Sequence, residues 1–576
     1  SCFGGRNTNT RLNLYVPANS TTLTTCLFTN SYSLIGADIT WTDSVATNGY
    51  YFNTTSNIYI YPVANVEQAY KDNELVIASL TASTRGIKPY IESEYEYEVQ
   101  YVQNTVNSNL YDTIITSEGV PSHMTISNSS YITSVRRFKT VNMHASFNNC
   151  RKLTGSPVCE SSVTDMSEAY HNCRDLTGDP VCGDNVTNMY RAYELCSNLT
   201  GPPACGDKVI NMSDAYYHCS KITGNPVCGS NVISMVNAYY NCQSLTGAPA
   251  CGSNVTDMSY AYYNCTNLSG NPVCGNNVIS MHETYENCRN LIGSPVCGDN
   301  VTNMKYTYDN CISLTGDPVC GPNVTDMYAT YIKCAGLTVA PVCGNNVTNM
   351  ARTYYYCHNL TGSPVCGDNV IDMYGTYYDC YNLTGSPVCG PNVTDMTSTY
   401  RNCYNLTGNP VCGPSVTNMY QTYYDCHNLT GSPACGDNVI DMYNAYYNCQ
   451  SLTGSPACGN KVVNMSNTYN NCRNLTGSPA CGSNVTNMYS TYYNCIKLTG
   501  SPACGPNVTD MDSTYSYCNN LTGSPVCGPN VISLNRAYYY CNRLVGSPVC
   551  GDNVTTMAWT YCNCYKLTGA PVCGNN

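Results

Sequence analysis

A frame of 23 residues recurs nineteen times from Cys150 to the end of the chain, without one insertion. Each copy reads close to C-x-N-L-T-G-S-P-V-C-G-x-N-V-x-x-M-x-x-x-Y-x-x, and its first cysteine is position 1. Cysteine also stands at position 10, proline at position 8, tyrosine at position 21, and methionine at position 17 except for Leu534. Such constancy indicates that every copy meets the same neighbours, which is typical of stacked coils that each contact only the adjacent coils.

The recurring apolar residues predict how one coil is built. Leucine at position 4, valine or alanine at 9, valine at 14, methionine at 17 and tyrosine at 21 are expected to point inward. Proline at position 8 cannot donate to a sheet, so only short parallel pairing around the Val-Cys pair is expected there. Glycines at 6 and 11 and asparagine at 13 are expected to turn the chain. The stretch before each first cysteine predicts a short helical or 3₁₀ turn.

The residues before the array have a different texture. Segments such as TTLTTCLF, NIYIYPV, ELVIASL and ESEYEYEVQYV alternate apolar and polar residues and are rich in Val, Ile, Thr and Tyr. They predict a small all-β domain of antiparallel strands over residues 1–118, with an assembly or docking role. Residues 119–149 form a joint and a lead-in coil, and residues 150–576 form the cysteine-rich array.

The repeat resembles a known family. The stretch NVTNMARTYYYCHNLT at 346–361 is similar to the BspA-like leucine-rich repeats of bacterial, phage and protist surface proteins. The resemblance covers residues of about 140–576 and implies a leucine-rich-repeat solenoid of nineteen 23-residue coils, displayed on a surface and used in adhesion, with no catalytic residues. The chain departs from the family where G-S-P-V-C-G replaces Leu-x-Leu or Ile-x-Ile-Pro, so the second cysteine and the proline are not explained by it.

The cysteines form two columns, and 38 of the 41 belong to positions 1 and 10. Position 1 alone could be a buried, reduced column, but the second column favours one disulfide per repeat, within a coil or between coils. Disulfides would place the protein outside a reducing cytosol. The candidates include Cys150, Cys159, Cys173, Cys182, Cys357, Cys366, Cys564 and Cys573. Cys2 and Cys562 are candidates for a bond between subunits.

Two sets of N-glycosylation sequons recur in the array. The N-V-T set is Asn185, Asn254, Asn300, Asn323, Asn346, Asn392, Asn484, Asn507 and Asn553. The N-L-T set is Asn198, Asn359, Asn382, Asn405, Asn428, Asn474 and Asn520. The alternative is that these asparagines and threonines only form turns and ladders, and a fully occupied column would be crowded because a glycan is wider than one coil.

Several function classes are disfavoured by composition and motifs. The net charge is −12 and no Lys/Arg run occurs, which argues against nucleic acid as a partner. The sequence contains no run of 18 apolar residues, so no membrane-spanning segment is predicted. The seven histidines share no repeat position and no nucleophile, paired-carboxylate, phosphate-loop or metal motif stands out, so neither an enzyme nor a cofactor is expected. Threonines that are not paired as T-x-T argue against an ice-binding face.

Two functions remain. The chain ends inside a coil without a capping segment, which suggests a head-to-tail homopolymer: a disulfide-reinforced extracellular filament. The alternative is a surface adhesin, or a virion receptor-binding fibre, that binds glycans or another host ligand. The variable positions 2, 12, 18 and 19 show no cluster of aromatic and charged residues along the sequence, which favours the structural function.

Overall fold

The computed structural model describes residues 120–569, apart from residues 130, 131, 133, 136, 137 and 340–342, and the backbone of seven strands before residue 118. The chain divides into two compact units, Ser1–Val278 and Ile279–Asn576. No helix that could span a lipid bilayer occurs in this part of the chain. The boundaries at residues 118 and 149 stay predictions.

The first unit begins with eight strands, in agreement with the β-rich texture of the sequence. They are β1 Leu12–Pro17, β2 Tyr51–Asn53, β3 Ile58–Val63, β4 Glu74–Thr81, β5 Tyr90–Glu92, β6 Tyr97–Gln103, β7 Leu110–Ser117 and β8 His123–Thr125. The sheets run β1-β3-β2, β4-β7-β6 and β5-β8. Every pairing is antiparallel except β1 with β3, which is parallel and differs from the prediction. The predicted strand TTLTTCLF lies outside the described residues.

In each unit the repeats form stacked coils, and one parallel bridge joins each coil to the next. The bridges run through position 16, as in Asp441↔Asn464 and Asn464↔Asn487. The prediction that pairing would occur around the Val-Cys pair is therefore wrong, with Val549 the only such residue in a bridge among the described ones. The β-branched residue at position 15 suits this extended segment. The backbone at position 9 instead forms hydrogen bonds with a tyrosine hydroxyl.

Most of the predicted core is confirmed, and one position is not. Leu452, Val462, Met465 and Tyr469 are all 0% exposed, and so are their equivalents in most coils. Position 9 is half-exposed instead of buried. Its backbone, not its side chain, meets the core: Tyr446 Oη donates to the Ala434 carbonyl oxygen at 2.6 Å and accepts from the Ala434 N–H at 3.0 Å. This explains why position 21 is tyrosine.

The tyrosines of position 21 stack face to face along each unit. Ring centroids of consecutive coils are 5.4 Å apart for Tyr170 and Tyr193, with an interplanar angle of 1°. The spacing is 5.5 Å for Tyr446 and Tyr469, at 4°. Buried threonine at position 20 adds a polar link, since Thr468 Oγ1 donates to the carbonyls of Met442 and Met465. Each coil thus offers its neighbour the same surface.

No helix forms before the first cysteine among the described residues, and a series of turns replaces the predicted helical segment. Asn444 and Asn448, at positions 19 and 23, have φ values of 55° and 60°. A right-handed helix requires negative φ, so these two positions interrupt it. The N–H groups of Met442, Asn444, Tyr446 and Asn448 are turned outward along the stack and donate to carbonyls of the next coil at 2.8–3.1 Å.

Candidate functional site

The two cysteine columns differ in environment. At position 1, Cys449 is fully buried and its thiol donates to the Tyr423 carbonyl at 3.0 Å. At position 10, Cys435 is half-buried, and its sulfur accepts from the Gly459 N–H of the next coil at 3.2 Å. Burial raises the pKa of the Cys435 thiol to about 12, so it is protonated at neutral pH.

The predicted disulfides are not formed in the structure. Every described cysteine is a free thiol, including Cys150, Cys159, Cys173, Cys182, Cys357, Cys366, Cys562 and Cys564. A bond between positions 1 and 10 of one coil is opposed by the tyrosine between them. The position-1 thiol of Cys426 donates to the backbone carbonyl of Tyr400. The hydroxyl at the other end of the Tyr400 side chain donates to the carbonyl of Val388, which directly precedes the position-10 cysteine. Cys2 and Cys573 lie outside the described residues.

The sequon asparagines lie at the surface, and all sixteen are exposed or half-exposed. In the N-V-T set the acceptor nitrogen is already engaged: Asn484 Nδ2 donates to the Asn460 carbonyl and Asn507 Nδ2 to the Ser483 carbonyl, each at 2.9 Å. The threonine Oγ1 two residues later donates to the preceding coil as well, as Thr509 does to Thr486. Glycosylation stays a prediction: it replaces one of the two Nδ2 hydrogens and leaves one N–H for this hydrogen bond.

The variable positions 18, 19, 22, 23 and 2 lie together on one side of each unit, which we call the variable face. Contacts between coils connect them. Arg352, at position 19, lies over the rings of Tyr355 at position 22 and Tyr374 at position 18 of the next coil. Tyr356, at position 23, packs edge-on against Tyr378 and His358. The absence of a cluster along the sequence was therefore misleading, because residues 23 apart become neighbours.

In the second unit the variable face carries what we call the aromatic–arginine patch: Arg352, Tyr355, Tyr374, Tyr378, Arg401, Tyr424 and Tyr447. Tyr355 and Tyr378 stack at 4.4 Å, and Tyr424 and Tyr447 at 4.7 Å. The guanidinium of Arg401 lies between the pairs, 5.3 Å from the centre of Tyr378 and 4.7 Å from that of Tyr424. Cation–π contacts of this kind fix the arginine in place.

Both arginines of the patch, Arg352 and Arg401, are surrounded by neutral side chains. Their Nε atoms are buried from solvent and meet no hydrogen-bond acceptor among the described residues. Their other contacts are neutral, with the Tyr374 hydroxyl for Arg352 and the Gln421 side-chain oxygen for Arg401. Neither guanidinium forms an ion pair with a carboxylate of the described residues. The patch thus presents two oriented positive charges framed by tyrosines.

A second aromatic column borders the patch at position 2. His358, Tyr381, Tyr404 and His427 stack in sequence, with centroids 4.7, 5.0 and 5.1 Å apart. Because their faces cover one another, the ring edges and hydroxyls are what a partner would meet. His427 Nε2 also lies 3.6 Å from Asp425 Oδ1.

In the first unit the variable face carries different chemistry. His171, Arg191, Glu194 and Asp214 form a charged cluster, in which Arg191 Nε lies 3.1 Å from Glu194 Oε2. Burial raises the pKa of Glu194 and the charge of Arg191 opposes it. Further along, Tyr217, Tyr240 and Tyr263 stack at 4.7 and 4.5 Å. Side chains differ along the variable face while the backbone repeats.

Positions 13 and 15 also face outward and vary little. They line shallow depressions of about 580 Å³ in the first unit and about 490 Å³ in the second. Asparagine and threonine there are mostly engaged with the preceding coil, and exposed isoleucines such as Ile371, 49% exposed, alternate with the threonines. Position 15 is always β-branched, and β-branched residues favour extended backbone. The composition of this surface is therefore explained by the extended segment and does not require a ligand.

Asp309, at position 22, supports a prediction of pH dependence. Its Oδ1 is buried without a hydrogen-bond partner, and burial raises the pKa of this carboxyl to about 6, with Lys333 opposing the shift. The folded state therefore holds the proton more tightly than the unfolded state, and stability falls as the pH rises from about 4 to 6. We expect Asp309→Asn to raise the free energy of unfolding at pH 7.5 by about 2 kcal/mol.

Urea unfolding at pH 4 and pH 7.5 measures this effect. The difference between the variant and the parent should nearly vanish at pH 4, where Asp309 is protonated. Asp299→Asn, at an exposed position, is the matched control and should change neither value. Equal shifts for Asp309→Asn at both pH values would contradict the assignment.

No protein-family model matches this chain, and no curated protein is similar to it. A leucine-rich repeat protein from Bacteroides ovatus ATCC 8483 aligns with a TM-score of 0.24 and 10% identity, over 82% of this chain and 89% of that one. A leucine rich cell surface protein from Faecalibacterium prausnitzii A2-165 gives 0.21 and 13%, over 84% and 94%. At TM-scores this low neither likeness bears on fold or function.

Proposed function

We propose that this chain is a surface-displayed binding protein, an adhesin, whose leucine-rich-repeat-like coils present the variable face to a macromolecular ligand. The observation that carries the proposal is Arg401, which is half-exposed, lies between Tyr378 and Tyr424, and has no carboxylate partner among the described residues. Tyrosine and arginine are the residues enriched at binding hot spots, and donors fixed before binding reduce its entropic cost.

The distribution of variation supports a binding role over a purely structural one. A rod requires only that each coil fit the next, and the core positions and positions 13 and 15 satisfy this requirement with few residue types. Positions 18, 19 and 22 lie outward in most coils, yet they change from coil to coil among many residue types, including tyrosine, serine, arginine, asparagine, aspartate, histidine and glutamate. Differences that packing does not require are expected on a surface that recognises a partner.

The resemblance of the repeats to BspA-like surface proteins agrees with an extracellular or cell-surface location, or with a place on a virion. Glycans or a host surface protein are the proposed ligands. The head-to-tail filament, with the chain itself as partner, stays a prediction that no contact of the described residues supports.

A triple variant of the patch tests the proposal. Labelled full-length protein is applied to arrays of neutral, sialylated and sulfated glycans and to immobilised extracellular matrix proteins. We expect saturable binding to at least one ligand. Tyr378→Ser, Arg401→Ser and Tyr424→Ser together should raise its Kd by roughly 100-fold, since each hot spot contributes about 1–2 kcal/mol or more.

The matched control substitutes three residues at position 15 of neighbouring coils: Ile371→Ser, Thr394→Ser and Thr417→Ser. All three are exposed and lie outside the variable face. This control should bind like the parent. Equal loss in both triple variants, or no saturable binding by the parent, would contradict the proposed function.

A further inference from the structure

The position-10 thiols form a column that differs from the position-1 column in access and in neighbours. Cys435, Cys458 and Cys481 are half-buried, whereas the position-1 thiols of the same coils are 0% exposed. Each position-10 sulfur faces the next coil, since Cys435 Sγ accepts from Gly459 N–H and Cys458 Sγ from Gly482 N–H, at 3.2 and 3.1 Å.

The residue after each cysteine brings the thiol close to the next coil. Position 11 is glycine in every repeat but the first. A Cβ on Gly459 would lie 3.3 Å from Cys435 Sγ, and one on Gly482 would lie 3.2 Å from Cys458 Sγ. Any side chain at position 11 would crowd the preceding sulfur. Because each of these glycines directly follows the next cysteine of the column, the sulfur of one coil lies beside the backbone that carries the next thiol.

The spacing of the coils is close to the separation of the two Cα atoms in a disulfide. Equivalent residues of adjacent coils are separated by about the spacing of the tyrosine column, 5.5 Å between Tyr446 and Tyr469. Disulfides usually join Cα atoms about 4.4–6.8 Å apart. Because adjacent coils repeat the same orientation, the Cβ atoms of two position-10 cysteines are separated by about as much as their Cα atoms, which exceeds the roughly 3.5–4.5 Å of a disulfide. Pairing therefore requires the two coils to approach each other locally by about 1 Å.

We propose that the position-10 column is a site of oxidative cross-linking in which disulfides join adjacent coils in pairs, while the position-1 column stays reduced. Position 1 is excluded by its complete burial and by the short hydrogen bond of its thiol, 3.0 Å from Cys449 Sγ to Tyr423 O, whereas the Cys435 thiol has only a 3.6 Å contact with Gly436 O. Pairing between positions 1 and 10 is excluded by the intervening tyrosine. A cysteine can pair with the coil before or the coil after, so the column has two alternative pairings.

The reaction requires an external two-electron thiol oxidant. For each pair, two S–H bonds break and one S–S bond forms, and a diazenedicarboxamide oxidant takes up two electrons and two protons to become the hydrazine. Burial raises the pKa of Cys435 and Cys481 to about 12, which keeps the thiolate fraction small. Oxidation is therefore expected to be slow under mild conditions, and free thiols persist until an oxidant is supplied.

Disulfide mapping of the full chain tests the proposal. Folded protein is treated with diamide, remaining thiols are alkylated after unfolding, and peptic peptides are identified by mass spectrometry. Stretches that occur only once in the sequence identify the copies: GSPACGDN contains Cys435, GSPACGNK contains Cys458 and GSPACGSN contains Cys481. We expect links such as Cys435–Cys458 within a monomer, with roughly half of all thiols still free to be alkylated. Links within a coil such as Cys426–Cys435, links between position-1 residues such as Cys426–Cys449, or no links at all would overturn it.

Two single variants sharpen the result. Cys458→Ser should leave Cys435 paired only with Cys412, and Cys481 only with Cys504, because the lost thiol breaks the column. Cys449→Ser, at position 1 of the same coil as Cys458, should leave all links unchanged. If Cys449→Ser changed the disulfide links as much as Cys458→Ser does, the cross-links would involve the position-1 column, and the proposal would be refuted.

Discussion

Gly459→Val is expected to destabilise the second unit by roughly 3 kcal/mol or more, among the largest effects of any single substitution in the array. A Cβ at this position would lie 2.7 Å from the Gly436 carbonyl oxygen of the preceding coil and 3.3 Å from Cys435 Sγ. The φ of this glycine is not positive, so close approach of backbone to backbone, not conformational freedom, is the cause. A backbone oxygen cannot rotate away, so relief requires that the two coils separate.

Urea unfolding followed by circular dichroism measures this loss, and hydrogen exchange locates it. Protection should fall first at the bridge residues on either side, Asp441 and Asn464. Asn460→Val, at the adjacent exposed position, adds the same side chain without entering the contact and should change stability by less than about 0.5 kcal/mol. A loss for Asn460→Val as large as that for Gly459→Val would show that β-branching, not coil contact, is responsible.

Tyr446→Ala is expected to cost about 3–5 kcal/mol, because it removes a large buried side chain and leaves a cavity in the column. Tyr446→Phe separates the ring from the hydroxyl. The ring stacking is retained, but the N–H and carbonyl of Ala434 lose the partner that both share. Leaving such groups unsatisfied costs about 1–3 kcal/mol. The same urea titration, with parent and both variants in parallel, gives the two values.

Tyr447→Phe is the control for the hydroxyl. Tyr447 is the next residue, lies half-buried on the variable face and stacks on Tyr424 at 4.7 Å. No described residue forms a hydrogen bond with its hydroxyl, so removal of the hydroxyl should leave stability within about 0.5 kcal/mol of the parent. If Tyr446→Phe were equally neutral, the link between position 21 and position 9 would have no energetic role.

The candidate site could not be predicted from the sequence, although each of its residues is visible there. Arg401 and Tyr424 stand 23 residues apart, and in the linear chain the variable slots look scattered. The period itself was the available signal: writing the repeats one below another places Tyr355, Tyr378, Arg401, Tyr424 and Tyr447 in one column. What the alignment of repeats does not give is which neighbouring columns touch, since this depends on the path of the backbone at positions 18–23.

The same limit explains the incorrect predictions about secondary structure. The segment before each first cysteine has helix-compatible residues, but positive φ at positions 19 and 23 redirects the N–H groups to the next coil. Asparagine is the usual residue at position 23 and tolerates this conformation. Position 19 carries no such preference, with Arg352, Ser398 and Gln421 all at positive φ. There the bonds to the adjacent coil outweigh local propensity.

The sequence by itself determined the 23-residue period, the stacking of equivalent residues and the burial of leucine, valine, methionine and tyrosine at positions 4, 14, 17 and 21. These follow from pattern, because a residue that recurs at a fixed interval must meet its own copies. Only the tertiary structure decided where consecutive coils pair, what the tyrosine hydroxyl binds, which thiols face a neighbour and which variable side chains form one surface. Each of these depends on the direction of backbone groups between coils, and those directions come from inter-coil hydrogen bonds that no single repeat can form alone.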